Sequence, residues 1–328
     1  MQYRYEAEIV IAAAKQAALL CESIRHSIRF ESLDKPDRSP VTIADFAAQA
    51  VICYQLNQAF PQDSIVAEEA ATLLRASPPQ LAKVTEVVQT LIPAATPQQV
   101  TAWIDLGQGE VGERFWTFDP IDGTKGFLRG DQYAIAIALI ESGEVKVGVM
   151  ACPAFEEGCL FAAIRGQGTQ RISLKTAQSE AIKVLKSPSS PWYRLAESVE
   201  TSHGDPARQR SIAQAVGLTA PTLQMDSQAK YGALASGQAA LYLRLPWVQN
   251  SHYQENIWDH AAGAIVVEEA GGRVSDMNGK PLNFSIGAQL IENCGIVASN
   301  GEIHDAVLAA IAASTTAVDR DDSGLPAL

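Results

Sequence analysis

The sequence has no apolar run approaching the about 18 residues of a membrane span. AIAIALI at Ala134–Ile140 is no longer than a core strand. The start, MQYRYEAEIV, lacks the basic-then-apolar layout of a signal peptide. Cysteine is sparse. Cys21, Cys53, Cys152, Cys159 and Cys294 are odd in number and nowhere spaced CxxC, which argues against a zinc framework and fits a reducing compartment. A cytoplasmic location with no membrane partner is expected. Positive charge is short as well: 25 Lys and Arg stand against 37 Asp and Glu, a net charge of −12. That argues against a surface that coats nucleic acid, which needs a basic face to release counterions. It leaves room for a small anionic ligand, because bound cations invert the local sign around an acidic cluster. No internal repeat or low-complexity tract is present. What remains is 328 residues, 47% apolar and 19% charged, enough for a sizeable core in one large domain or two ordinary ones.

The densest chemistry lies in WTFDPIDGTKGFLRG, Trp116–Gly130. Trp116, Thr117 and Phe118 read as the end of a buried strand. Pro120 removes a backbone donor and disfavours helical geometry at Asp119, so the strand is expected to end there in an extended pose. Gly123 permits a tight bend, and Thr124 is placed to cap the helical turn that follows. Two hard anionic ligands, Asp119 and Asp122, beside a turn with free N–H groups suit a metal ion bridging carboxylates to a phosphate. Alone, the motif fits equally a polar turn whose aspartates cap backbone groups.

Periodicity predicts a first helix over Tyr3–Phe30, with Tyr5, Ile9, Ala12, Ala13, Gln16, Leu19, Leu20, Ile24 and Ile28 on its buried face. ESLDKPDRSPVT is a loop broken by Pro36 and Pro40, with Lys35 a candidate flap residue. A second helix runs from Ile43 to Phe60 and carries Asp45 in its first turn, where the helix dipole alone favours a carboxylate. Ser64–Ala67 is a short strand leading into Glu68, and about Thr72–Pro97 is helical with proline breaks. Gln132–Ile140 and Val145–Met150 read as a hairpin, extended by Cys159–Ile164. Pro188 and Pro191 mark a boundary between an N-terminal lobe, 1–188, and a C-terminal lobe, 189–314. Residues 315–328 are expected to form a disordered tail. In the second lobe Ala207–Val216 and Lys230–Gly237 read as helices, Ala240–Leu245 as a buried strand, and Asp259–Ala270 as a helix that Asp259 caps. Gly295–Ala298 and His304–Ala313 close the series. Alternating helices and strands imply a layered α/β or α+β fold.

Asp45, Glu68, Asp119, Asp122 and Asp259 all fall at element boundaries, where α/β sites are assembled. SPVTIADFAAQ (Ser39–Gln49), IVAEEA (Ile65–Ala70), FWTFDPIDGTKGFLRG (Phe115–Gly130) and IWDHAAGAIVVEEAGG (Ile257–Gly272) together resemble the inositol monophosphatase superfamily of lithium-sensitive, magnesium-dependent phosphatases. GTKGFLRG, Ser202-His203, MDSQAKYGALASG (Met225–Gly237) and LYLRLP (Leu241–Pro246) resemble its 3'(2'),5'-bisphosphate nucleotidase branch. The similarity runs in order along nearly the whole chain. It implies the layered α-β-α-β-α sandwich, an α+β fold, of the inositol monophosphatase and fructose-1,6-bisphosphatase type. Glu68, Asp119, Asp122, Asp259 and the Ile121 carbonyl are implied ligands of two or three Mg²⁺ ions, with Asp45 and Thr124 activating water. Gly123 and Thr124 are implied to hold the transferred phosphate.

His203, Ser227, Lys230 and Arg244 match positions that contact the AMP moiety in that branch. Read without the resemblance, Lys230 and Arg244 are rather solvated helix and strand residues, and His203 a loop histidine; the surrounding motif reverses this for Lys230 and Arg244. The implied activity is hydrolysis of 3'-phosphoadenosine 5'-phosphate (PAP) to AMP and phosphate, linked to sulfur assimilation. PAPS or an inositol bisphosphate is implied as a further substrate. The alternatives are an inositol (poly)phosphate or fructose-1,6-bisphosphate phosphatase on the same metals, or a phosphonucleotide-binding regulator without turnover. Ala67 and Ala70 depart from the Gly and Ser of many members, and the connection from Arg244 to Asp259 is long for the branch. Glu268-Glu269 repeats the spelling of Glu68-Glu69 inside a helix and reads as surface charge.

Overall fold

The computed structural model describes residues 2–27, 32–34, 40–200, 204–247 and 253–321. Helix α1 (Arg4–Ser27) precedes a two-stranded antiparallel ribbon, β1 (Ser32–Asp34) and β2 (Pro40–Thr42), which leads directly into α2 (Ile43–Ala59). Thr42 caps α2 in a reciprocal capping box with Asp45, an arrangement worth about 1 kcal/mol. After β3 (Ser64–Ala67) come α3 (Thr72–Arg75), α4 (Pro78–Gln89) and α5 (Pro97–Asp105), each of the last two opened by proline in its first turn. Strand β4 (Arg114–Asp122) and the short helix α6 (Thr124–Arg129) contain the DPIDGT motif.

Five strands then meander: β5 (Ala134–Glu141), β6 (Glu144–Cys152), β7 (Cys159–Ile164), β8 (Thr169–Ser173) and β9 (Ser179–Ile182). With β3 and β4 they form a seven-stranded sheet in sequence order, antiparallel except for the β3–β4 pair. A second sheet follows, built from β10 (Leu195–Ser198), β11 (Leu223–Met225), β12 (Leu241–Arg244), β13 (Arg273–Ser275) and β14 (Ile296–Ser299), in the order β11-β10-β12-β14-β13. Helices α7 (Pro206–Ala215), α8 (Ala229–Ala235), α9 (Ala261–Glu269) and α10 (His304–Asp321) accompany it.

Three cores give five layers. Alternation along β4 and β5 sends Trp116, Phe118, Ile135, Ile137 and Leu139 to a core shared with α1, α2, α4 and α5. The opposite face offers Phe115, Ala134, Ala136 and Ala138 to a second core, where α8 and α9 lie between the two sheets. A third core joins the far face of the second sheet, through Leu195, Leu243 and Val297, to α7 and α10. The order helix, sheet, helix, sheet, helix is the sandwich the resemblance implied. In the middle layer, a Cβ on Gly263 of α9 would run into the Tyr231 ring of α8, so only glycine fits there.

Several expectations need correction. The buried face of α1 is Ala7, Val10, Ala13, Ala14, Ala17, Ala18, Leu20, Cys21 and Ile24, whereas Tyr5 and Leu19 are 58% and 69% exposed. Strand β4 does not stop at Asp119. It passes through Pro120 because pairing with β3 has ended at Phe118 and the register with β5 shifts between Asp119 and Asp122, so no ladder donor is needed there. Helix α10 continues beyond Ala313 to Asp321. Glu268 and Glu269 close α9 rather than sitting inside it. Glu268 pairs with Arg165, and both oxygens of Glu269 accept backbone N–H bonds, 2.9 Å each, from Gly166 and Gly168 in the β7–β8 turn.

Candidate active site

A cavity of about 230 Å³ opens where the end of β4 meets β12, the β11–α8 connection and the entrance to α9. The β4 bulge aims Asp119 and Asp122 at it, and the Asp119 carboxylate accepts a 3.0 Å bond from the Ile121 N–H. Parallel pairing of β3 with β4 ends at Ala67 opposite Phe118, which delivers Glu68 to the same wall. The acidic turn is held from behind by Gln49, fully buried on α2. Its amide accepts from the Glu69 N–H and donates to the Glu69 and Ile104 carbonyls, while Gln108 also donates to the Glu69 carbonyl.

Asp259 arrives differently from the sequence expectation. It ends a short 3-10 turn, Ile257–Asp259, and α9 starts after His260 with no side-chain cap. Asp259 is therefore free of capping duty and lines the cavity. Asp119, Asp122 and Asp259 offer carboxylate oxygens that all lie within 4.8 Å of one another. Burial, then the neighbouring charges of Glu68, Asp122 and Asp259, push the Asp119 carboxyl well above its ordinary range. Burial also raises Asp122 and Asp259, against the pull of Lys230 on the first and Arg244 on the second. Crowded, like-charged, hard oxygen donors of this kind fit a small divalent cation, whose charge relieves the repulsion.

Asp45 lies beneath the cavity rather than in its wall, with none of its surface exposed. One of its oxygens is committed to the cap of α2, accepting from the Thr42 N–H at 2.8 Å and the Thr42 hydroxyl at 2.5 Å. The other accepts from the Thr124 hydroxyl at 3.1 Å. One oxygen of Asp45 thus serves the helix cap and the other faces Thr124. Thr124 does not cap α6. Gly123 does, at φ 88°, a conformation that glycine adopts without strain. The Thr124 hydroxyl also lies 3.2 Å from the Ile121 carbonyl.

The second lobe supplies the cations. Lys230 is buried on α8, donates 3.3 Å to the Met225 carbonyl, and sits 5.2 Å from the centre of the Tyr242 ring. Burial pushes its ammonium down to about 8 despite nearby Asp122. Arg244 at the end of β12 donates Nε to Glu255 at 2.8 Å, and its Nη2 lies 3.9 Å from Asp259. Burial opposes ionisation of Glu255, but Arg244 and His260 outweigh it and hold the carboxyl low. Ser227 lines the cavity with φ 62° and accepts from the Ala229 N–H at 3.2 Å.

The structure therefore brings together Glu68, Asp119, Ile121, Asp122, Gly123, Thr124, Ser227, Lys230, Arg244 and Asp259 around one cavity, with Asp45 directly behind Thr124. His203 and Lys35 lie outside the described residues. Sequence reasoning missed Gln228, which joins three parts of the site. Its N–H donates 2.6 Å to Asp122, its amide donates to the Trp258 carbonyl, and its oxygen accepts from the Gly263 N–H. It also missed a mouth of alternating charge. Arg129 bridges Asp131, Glu200 and Asp226, and Lys125 lies 3.5 Å from Glu200. The charged residues of GTKGFLRG were the only local signal for that mouth.

Among known proteins, the inositol monophosphatase family model matches residues 2–316. A Schizosaccharomyces pombe protein named 3'(2'),5'-bisphosphate nucleotidase is 39% identical over 96% of this chain and 97% of its own length. An Oryza sativa protein of the same name is 40% identical over 94% of each. Solved structures share the fold. A Thermotoga maritima IMPase superposes with TM-score 0.67 at 23% identity, covering 95% of this chain and 98% of that one. CysQ from Bacteroides thetaiotaomicron superposes with TM-score 0.61 at 21% identity, covering 92% and 99%. No helix among the described residues is long and apolar enough to cross a membrane.

Proposed function

The chain belongs to the inositol monophosphatase family, and from that premise we propose that it hydrolyses the 3'-phosphate of PAP to AMP and inorganic phosphate, with PAPS as a second substrate. The observation that carries this reading is one cavity that joins a carboxylate cluster to two cations, buried Lys230 and part-buried Arg244. A simple phosphate monoester has no use for both halves, and a bisphosphate does. The curated relatives named 3'(2'),5'-bisphosphate nucleotidase support the nucleotide assignment.

Asp119, Asp122 and Asp259, with Glu68 and the Ile121 carbonyl, would hold two or three Mg²⁺ ions. Magnesium bound there supplies charge neutralisation of the ester and acidification of water. The chain's own residues do the rest. Fixed by Thr42 through one oxygen, Asp45 presents the other to the Thr124 hydroxyl and orients it. The Thr124 oxygen then accepts a proton from the attacking water while its own proton passes to Asp45. Attack is direct, with no phosphoenzyme. Gly123 and Thr124 direct N–H groups at the phosphate being transferred. Lys230 and Arg244, with Ser227, hold the second phosphate. This divides the labour between an N-terminal lobe, 1–188, which carries most of the carboxylates, and a C-terminal lobe, 189–314, which carries the substrate contacts and Asp259.

The test is phosphate release from PAP with and without Mg²⁺, followed by kcat/KM across PAP, PAPS, inositol bisphosphate, inositol monophosphate and fructose-1,6-bisphosphate. The expected order places PAP first, with lithium inhibiting. Preference for an inositol or fructose ester would move the substrate within the family. No release with any divalent cation would leave a nucleotide-binding regulator.

A further inference from the structure

Behind Arg244 runs a line of buried polar side chains whose hydrogen bonds lead to the guanidinium at the cavity wall. Tyr231 on α8 and His260 at the mouth of α9 have no exposed surface, and Glu255 is 5% exposed. The Tyr231 hydroxyl lies 2.8 Å from His260 Nδ1, His260 Nε2 lies 3.2 Å from Glu255 Oε2, and Arg244 Nε donates 2.8 Å to Glu255. An ionised carboxylate only accepts, so Nε2 must carry the imidazole proton and Nδ1 must accept from the tyrosine. The bonds then run one way, from tyrosine to histidine to carboxylate, and the carboxylate holds the arginine. Glu255, Asp259 and His260 come close enough to suggest a metal site. That reading fails here, because the Glu255 oxygens and both imidazole nitrogens already have partners and the Arg244 cation lies against them.

We propose that Glu255, His260 and Tyr231 are positioning residues that fix the rotation of the Arg244 guanidinium and so set how strongly the site holds a substrate's second anionic group. The inference rests on the reading of Arg244 as a contact to that group. Arginine's planar fork rewards orientation, and freezing it before binding removes an ordering cost that the ligand otherwise bears. Asp259, 3.9 Å from Nη2, and the Tyr242 and Tyr253 hydroxyls are the competing partners toward which an unfixed guanidinium turns.

Steady-state kinetics at saturating Mg²⁺ on Glu255→Gln and the isosteric Tyr231→Phe test this. KM for PAP should rise about tenfold in the first and about threefold in the second, with kcat within about twofold. KM for inositol 1-phosphate, which has no second anion, should stay put. An equal loss on both substrates, or a loss confined to kcat, overturns the proposal. If Glu255→Gln does not fold, Tyr231→Phe carries the test. A second readout needs no turnover: the ¹⁵N-resolved Nε–H signal of Arg244 should shift and lose exchange protection in Tyr231→Phe. An unmoved signal overturns the relay whatever the substrate. A wild-type protein inert toward PAP overturns the proposed reaction instead, and the Arg244 signal still decides the relay.

Discussion

The two sides of the cavity solve opposite electrostatic problems. On the seven-stranded sheet, Glu68, Asp119 and Asp122 face one another and Asp259, and the carboxyl groups of all three aspartates are driven up by burial and repulsion. On the other side Arg244 is paired with Glu255, which also accepts from His260, and Lys230 is buried against the Met225 carbonyl and the Tyr242 ring. One wall is arranged for a cation to complete, and on the other the arginine is held in place before any ligand arrives. Charge that must be exchanged with solvent is left crowded, whereas charge that must only be aimed is paired.

Asp122→Asn attacks the crowded wall most directly. It removes a ligand charge without removing volume, so kcat/KM should fall by more than about a hundredfold, beyond what mutations one shell further out cost. The metal-free variant should melt no lower than the parent, since repulsion is relieved. Near-normal turnover would break the contrast.

Metal and pH come next. A raised folded pKa means that the stability these carboxylates contribute is fully present below the ordinary value of 3.8 and lost as pH rises through the raised values. The metal-free protein should therefore lose Tm as pH rises from about 3.8 through the raised values, and saturating Mg²⁺ should restore it most once the carboxylates are ionised. Calorimetric scans that show no Mg²⁺ effect at alkaline pH would contradict the assignment. On the paired wall, the Lys230 ammonium is pushed down to about 8, so its charge fades as pH rises through that value. KM for PAP should climb there while KM for inositol 1-phosphate does not. A PAP KM indifferent to pH across that range would separate Lys230 from the second phosphate.

The smallest effect is remote from both walls. Glu269→Ala should cost about 2 kcal/mol, the loss of two charge-assisted bonds to the β7–β8 turn, with kcat/KM unchanged. Urea melts and kinetics on the same sample would decide it, and a kinetic defect would tie the sheet edge to the site.

The crowded wall was legible because its residues come in short local words: AEE, DPIDGT and WDHAAG each place a carboxylate at an element boundary. The paired wall was legible only as isolated cations, since the links from Arg244 to Glu255, from Glu255 to His260 and from His260 to Tyr231 are made in space. Gln49 and Gln228 were silent for the same reason. Neither carries a charge, and each acts by filling backbone valences far along the chain. The face of α1 failed on a different principle. Hydrophobic size points to Tyr5 and Leu19, but α1 packs closely on α2 and the sheet, so its alanine stripe is the one buried. Asp259 was mistaken for a cap because an acid before a helix reads that way, and a single turn of 3-10 geometry ahead of α9 leaves it unbound to the helix end.

Gly263 has no side chain, no charge and no place in the cavity, yet its hydrogen is what lets the Tyr231 ring lie where it does. That ring carries the hydroxyl at the far end of the line that steadies Arg244. A steric constraint therefore falls on a residue that a survey of polar or ligand-touching positions would pass over. In a close-packed middle layer, one added methyl group becomes a question of which substrates the protein still recognises.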